Sequence, residues 1–327
     1  MNLQQNILGI HFGNPTVLAS GIWGITASGW RRATEGGAGA ITTKSLWLRE
    51  HRGHPNPTII STPYWSLNAV GVPDAGPEKA REEIGTFLEW RETIPKEKRP
   101  PLIANIIAET VENFGATAEK IAALTPDAIE VNISCPNVED EFGKPFACSL
   151  PDAIAVTKIV KGNVGTIPIF IKLSPNVENI GMIARGVSEA GADGLTVINT
   201  VGPGMAIDLK TRMPILANKV GGLSGRAIKP IAVRCIADCY SATGGTVPII
   251  GTGGVVTGED AIELMMAGAS LIGIGTALWE RGETIFKLIC EEIRLWCDAN
   301  GVKSLTEIIG GAHPLGKGYL KHSSATT

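Results

Sequence analysis

A single thiol and a scatter of lysine and asparagine side chains carry the chemistry that this sequence can offer. Cys135 stands in the run Asn132-Ile133-Ser134-Cys135-Pro136-Asn137, flanked by polar residues and followed by a proline that stiffens the chain and fixes the direction of the thiol. A thiol of ordinary pKa, about 8.5, turns into a base or a nucleophile once deprotonated, and neighbouring lysines favour that form. As a base it takes a carbon-bound proton. As a nucleophile of the Cys–His type it needs a histidine from the same surface, and His51 and His54 keep that alternative open. Lys44 follows Ala40-Ile41-Thr42-Thr43, and Lys172 closes the apolar run Ile167-Pro168-Ile169-Phe170-Ile171. Burying an ammonium there is costly unless an anion or a dipole meets it. Both lysines are read as fixed cations of a site, against the plainer alternative of side chains that snorkel to the rim.

Backbone donors form a second set. Gly251-Thr252-Gly253-Gly254 and Gly275-Thr276 each lead into a helical stretch, as does Gly222-Leu223-Ser224-Gly225. Glycine turns before helices expose N–H groups that hold phosphate. Any one of them is explained by plain chain reversal; three together predict a phosphate-bearing ligand.

Such groups need a frame that brings them together. From Thr16 onward short β-branched runs alternate with longer segments of helical period. Strands are expected near Val17–Ala19, Ala40–Thr43, Leu102–Ile106, Ala128–Val131, Ile167–Lys172, Gly194–Ile198, Val247–Ile250 and Leu271–Ile274. Helices are expected over Ala27–Glu35, Pro77–Arg91, Val111–Ala123, Pro151–Lys161, Val177–Ala190, Ile228–Ala242, Gly258–Ala267 and Arg281–Asn300. Eight strand–helix units predict an α/β fold, a (β/α)8 barrel forming one domain over residues 1–327. The competing open doubly wound sheet lacks its Gly-x-Gly-x-x-Gly fingerprint in Ala19–Gly24. In a barrel the reactive groups lie past the carboxyl ends of the strands. Those ends deliver Ser20, Lys44 and Ser45, Asn105, Asn132 and Cys135, Lys172, Asn199 and Thr200, and the glycine turns. Trp47–Gly76 is too long for a plain connection and is read as an active-site cover. Met1–Asn14 is read as a small hairpin plugging the barrel floor, Ser304–Gly311 as a terminal helix, and His322–Thr327 as a frayed tail.

Composition narrows the function class. With 29 basic against 32 acidic residues there is no footprint for nucleic acid. No apolar run reaches the roughly 18 residues that cross a bilayer, and Met1–Ile10 does not read as a secretory leader, so a cytoplasmic protein is expected. Six cysteines make neither a disulfide framework nor a metal pattern. Cys235 with Cys239, and Cys290 with Cys297, sit at helical spacing in apolar segments and read as buried structural thiols.

Over nearly its whole length, from Asn14-Pro15 to Ile272–Ala277, the chain resembles the class 1 dihydroorotate dehydrogenases, most closely the barrel subunit of the NAD-linked class 1B branch. The resemblance is carried by Leu18-Ala19-Ser20-Gly21, Thr43-Lys44-Ser45, Asn68-Ala69-Val70-Gly71, the Asn132–Asn137 run, Lys172-Leu173-Ser174-Pro175-Asn176, Ile198-Asn199-Thr200, Gly221–Gly225 with Ala227-Ile228-Lys229-Pro230, and Gly251–Gly254. It implies oxidation of (S)-dihydroorotate to orotate in pyrimidine synthesis, with Cys135 as the base at C5 and a hydride passing from C6 to FMN. It implies substrate ligands at Lys44, Asn68, Val70, Gly71, Val72, Asn132, Asn137, Asn199 and Thr200. For the flavin it implies Ser20, Lys44, Ser45, Asn105, Asn132, Lys172, Ile198, Gly225, Gly253, Gly254, Gly275 and Thr276, with Lys172 a cation beside the ring. It further implies a homodimer and a partner subunit bearing FAD and a 2Fe–2S cluster, since this chain has no cluster spacing and no FAD fingerprint of its own. The chain departs from the family pattern at Pro73-Asp74-Ala75-Gly76, at Val201-Gly202-Pro203-Gly204-Met205, at Arg226 where a proline is common, and near Pro57-Thr58, where a familiar arginine is missing. The alternatives are a dihydropyrimidine dehydrogenase-like barrel, against which a carboxylate-pairing Lys44 argues, a non-redox phosphate-binding aldolase or isomerase, and a scaffold that kept flavin without turnover.

Overall fold

A computed structural model describes residues 1–135 and 145–313. The expectation for the tail His322–Thr327 lies outside the described residues. Eight parallel strands close into a barrel in chain order: β1 (Thr16–Leu18), β2 (Ala40–Thr42), β3 (Leu102–Ile106), β4 (Ala128–Asn132), β5 (Ile169–Leu173), β6 (Gly194–Val197), β7 (Ile249–Thr252) and β8 (Leu271–Ile274), with β8 pairing back on β1. Around them run α1 (Ala27–Glu35), α2 (Pro77–Arg91), α3 (Val111–Ala122), α4 (Leu150–Asn163), α5 (Ile180–Glu189), α6 (Lys229–Ala242), α7 (Gly258–Ala267), α8 (Ala277–Arg281) and α9 (Ile285–Ala299). The chain is therefore a TIM barrel. Local chemistry sets the helix starts: Thr26, Thr110, Ser149, Asn179 and Thr257 each accept a backbone N–H of the first turn on the side chain.

Side chains alternate along each strand, so residues two apart share the barrel interior. The lower interior layer is apolar: Val17, Ala40, Ile103, Ala128, Phe170, Ile250 and Leu271 cluster with Phe12. Phe12 comes from the expected N-terminal hairpin, Gln5–Ile7 paired antiparallel with Ile10–Phe12, which closes the floor. Gly194 makes room for Phe170, whose ring lies 2.4 Å from where a Cβ would stand. Two residues further along the same strands, the next layer up holds Thr42, Asn105, Glu130, Lys172, Thr196 and Thr252, all buried or nearly so. The polarity switch along single strands is what turns a packed core into a site.

Four expectations need correcting. The terminal helix over Ser304–Gly311 is only a 3-10 turn, Leu305–Glu307, because Gly310 at φ +70 ends any helical course. The stretch Arg281–Asn300 is broken at Gly282, φ +73, which separates α8 from α9. The cover Trp47–Gly76 contains two strands, Ile59–Ser61 and Ser66–Asn68, and Gly221–Ser224 is a strand rather than a phosphate-binding turn. Together with Val201–Gly204 they form a four-stranded antiparallel sheet, in the order 201–204, 221–224, 66–68, 59–61. Finally, β5 runs on to Leu173, so Lys172 lies inside the strand and points into the barrel instead of ending on the rim.

Candidate active site

At the carboxyl ends of the strands the structure gathers Ser20, Lys44, Ser45, Asn68, Val70, Val72, Asn132, Cys135, Lys172, Ile198, Asn199, Thr200, Gly225, Gly253, Gly254, Gly275 and Thr276 around one cleft. Two expected residues stand behind it. Asn105 is fully buried below the lining, and Gly71, φ +71, is packed against His54, where a Cβ would come within 2.7 Å of the ring. Asn137 lies outside the described residues.

Cys135 directly follows the loop that leaves β4, buried at 8% exposure yet part of the cleft wall. Below it the amides are held by each other. Asn132 donates to Ser45 Oγ at 3.2 Å and accepts from Ser134 Oγ and Asn199 Nδ2 at 3.1 and 3.4 Å. Asn199 Nδ2 also reaches Ser134 Oγ at 3.0 Å, and its Oδ1 accepts the Thr200 N–H at 2.7 Å. This network fixes which face of each amide is turned to the cleft. Burial pulls the Lys44 ammonium below the usual lysine range and Lys172 repels it, while Cys135 and Asp74 favour its charge. The thiol and the two lysines thus share one electrostatic field.

The cover segment is built to hold its shape. Asn68 Nδ2 donates to the Gly222 carbonyl at 3.4 Å. Val72 takes φ +49, a left-handed conformation that a β-branched residue adopts only when its surroundings impose it. Its carbonyl accepts from Trp47 Nε1 at 3.0 Å and lies 3.2 Å from His51 Nδ1, and His54 Nδ1 is 3.0 Å from the Ala69 carbonyl. Asp74 accepts the Trp47 N–H at 2.8 Å; burial raises its pKa, against the pull of that bond, of the Gly76 and Ala75 amides and of His51. Neither histidine lines the cleft. The geometry gives both a loop-holding role and leaves the Cys–His alternative without its base at the wall.

On the opposite side Gly253 (φ +136), Gly254 (φ +74) and Gly225 (φ +86) adopt conformations that only glycine takes easily. A Cβ on Gly254 would meet the Lys229 backbone at 2.7 and 2.8 Å. Gly253, Gly254, Gly275 and Thr276 follow β7 and β8, where barrels hold phosphate. At the cleft three of the buried polar atoms lack a hydrogen-bond partner among the described residues: Thr200 Oγ1 and Thr252 Oγ1 in its lining, and Asn105 Oδ1 behind it. A flat, polar-edged molecule with a phosphate fits these donors and acceptors.

Sequence reasoning missed Glu130. It is 2% exposed and takes hydrogen bonds from Asn105, Lys172 and Thr196, and is thus the anion that the Lys172 ammonium required. It stands two residues before Asn132 in an otherwise apolar strand, a spacing that puts both on one face without saying that the face is the barrel interior. Ser224 and Thr252, offered by the sequence only as members of glycine turns, also line the cleft with their own atoms; Ser224 pairs with Ser66 in the cover sheet.

A family model described as dihydroorotate dehydrogenase matches residues 2–296. The chain belongs to the dihydroorotate dehydrogenase family. It is 46% identical over 311 residues to the protein of Methanocaldococcus jannaschii named dihydroorotate dehydrogenase B (NAD(+)), catalytic subunit, covering 95% of this chain and 98% of that one. Proteins with the same name from Methanothermobacter thermautotrophicus and Pyrococcus abyssi are each 40% identical, covering 95% and 94% of this chain and 98% of theirs. The barrel also superposes on the crystal structure of DHODH from Eimeria tenella in complex with ferulenol, with TM-score 0.82 at 23% identity, over 94% of this chain and 88% of that one. That likeness is one of fold. Among the described residues no helix is long and apolar enough to cross a membrane.

Proposed function

We propose that this chain is the catalytic subunit of an NAD-linked dihydroorotate dehydrogenase, which oxidises (S)-dihydroorotate to orotate in pyrimidine synthesis. The observation that carries this reading is the convergence on one cleft of the Cys135 thiol, Lys44 and Lys172, the side chains of Asn68, Asn132, Asn199 and Thr200, and a glycine-lined turn pair. Lys44 pairs with the substrate carboxylate. Asn68, Asn132, Asn199 and Thr200 read the ring's amide groups, and the backbone from Val70 to Val72 closes over it. Cys135, as thiolate, removes the proton at C5; the Lys44 ammonium, which interacts with it, favours that state. FMN, when bound, supplies the acceptor for the hydride leaving C6. Ser20, Ser45, Asn105, Lys172 and Ile198 would hold its ring system, and Gly225, Gly253, Gly254, Gly275 and Thr276 its phosphate. The unpartnered Asn105 Oδ1 and the glycine conformations at 225, 253 and 254 are what fit such a group.

The electrons leave through a second protein. Cys235, Cys239, Cys290 and Cys297 are buried in α6 and α9, and burial pushes Cys235 and Cys290 up to about 11, so these thiols are inert packing groups. A partner subunit carrying FAD and a 2Fe–2S cluster fits the NAD-linked assignment, on a homodimer of this chain.

Anaerobic titration tests the reading. The purified protein should be yellow, and dihydroorotate should bleach its flavin band. A flavin reduced by dihydrouracil but not by dihydroorotate would overturn the substrate, and a colourless protein that does not take up FMN would favour a non-redox barrel.

A further inference from the structure

Among the described residues Glu130 is the one buried carboxylate in the polar layer of the barrel, and it does not line the cleft. Its Oε1 accepts from Asn105 Nδ2 at 2.5 Å and from Lys172 Nζ at 3.4 Å, and its Oε2 accepts from Thr196 Oγ1 at 2.7 Å. The three donors come from β3, β5 and β6, on either side of its own strand β4. A buried ion pair is weak evidence for stability, because well-packed apolar residues do as well or better. The charge is better explained by what it does to its neighbours. Because the Asn105 amide nitrogen is spent on Glu130, its oxygen is left as an unpartnered acceptor. Because the ion pair is long, the Lys172 ammonium is only partly neutralised and keeps donors for the cleft that it lines.

We propose that Glu130 is a positioning residue that, braced by Asn105 from behind, presents Lys172 as a half-neutralised cation to the bound flavin, and thereby sets how readily that flavin is reduced. The inference rests on the reading of this cleft as an FMN site. A cation near the flavin stabilises its reduced, anionic form. A carboxylate that claims part of the cation's charge weakens that effect. Glu130 therefore holds the potential below the value that Lys172 alone would give.

The test is an anaerobic dye-equilibration titration of the FMN-loaded protein. Glu130→Gln keeps the shape, since the new amide still accepts from Asn105 and Lys172 and can donate to the Thr196 hydroxyl. It should shift the reduced-to-oxidised ratio toward reduced flavin by about tenfold at a fixed potential, roughly 30 mV for a two-electron couple. Lys172→Met should shift it the other way. In the Lys172→Met background Glu130→Gln should shift the ratio much less, because the carboxylate acts on the flavin through the Lys172 ammonium. Should Glu130→Gln not fold, Thr196→Val serves instead: the carboxylate, short of one donor, draws more of the Lys172 charge and should lower the ratio about threefold. A folded Glu130→Gln protein within twofold of the wild type or shifted toward oxidised flavin, or, where Thr196→Val stands in, a ratio that does not fall, overturns the inference. If the wild type binds FMN and dihydroorotate reduces it while the variants are silent, only this inference fails; if the wild type does neither, the functional reading fails with it.

Discussion

The two ends of the barrel are made by the same eight strands and behave as different materials. At the floor, Phe12 from the hairpin seats on Val17, Ala40, Ile103, Ala128, Phe170, Ile250 and Leu271, a close-packed apolar plug whose worth lies in burial. At the mouth, the same strands carry Asn105, Glu130, Asn132 and Lys172, none more than 6% exposed; Glu130 pairs with Asn105 and Lys172, and Asn132 with Ser45. The contrast shows a division of labour by height: burial of apolar surface is concentrated below, and above it polar groups hold one another or, as at Asn105 Oδ1, Thr200 Oγ1 and Thr252 Oγ1, are left open. Substitutions at the two ends should therefore fail in different ways.

Cys135→Ala gives the largest effect. The variant should keep its fold and its flavin, while dihydroorotate reduces that flavin on the order of 100- to 10,000-fold more slowly in stopped flow at neutral pH, the usual worth of a positioned base. Near-normal reduction would place the base elsewhere. At the floor, Phe12→Ala should do the reverse: it should lower unfolding free energy by about 3–5 kcal/mol in denaturant titrations while leaving the rate of flavin reduction in the folded fraction unchanged. A slowed reaction there would show that the two ends are coupled.

The smallest effect belongs to the outer wall of the mouth. Asp260 accepts the Val256 and Thr257 amides at 3.0 and 2.9 Å and pairs with Lys229 at 2.8 Å, tying α7 to α6. Burial works against its ionisation, but the Lys229 bond and those amides outweigh it and hold its pKa below the usual aspartate range. A carboxylate with a depressed folded pKa stabilises the fold above its unfolded value, about 3.9, and that contribution is lost as pH falls through the folded value. Asp260→Asn should cost about 1 kcal/mol at neutral pH and flatten the loss of stability below pH ~4. An unchanged acid profile would show that the contact adds nothing.

Much of this was legible in the sequence. Ala27–Glu35, Pro77–Arg91 and Gly258–Ala267 have the bounds that capping residues and apolar period predict, and the strand ends delivered most of the cleft. Local pattern could not show what pairing over long distances creates. Ile59–Ser61 and Ser66–Asn68 are short and flanked by prolines; they pair with each other as a hairpin, and only the distant Gly221–Ser224, beside Ser66–Asn68, extends them into a sheet. Glu130 alternates with apolar neighbours as a solvent-facing residue of a half-buried strand would. Only barrel closure puts it inside, beside Lys172 from the next strand.

The cover sheet joins segments about 150 residues apart, as the Asn68–Gly222 pair records. Neither connection can swing out alone without breaking backbone bonds to the other, so the pair forms one cooperative unit of local opening. The wall over the cleft is then a single panel, and a substitution in the linker after β6 should disturb it as directly as one in the segment that carries Asn68.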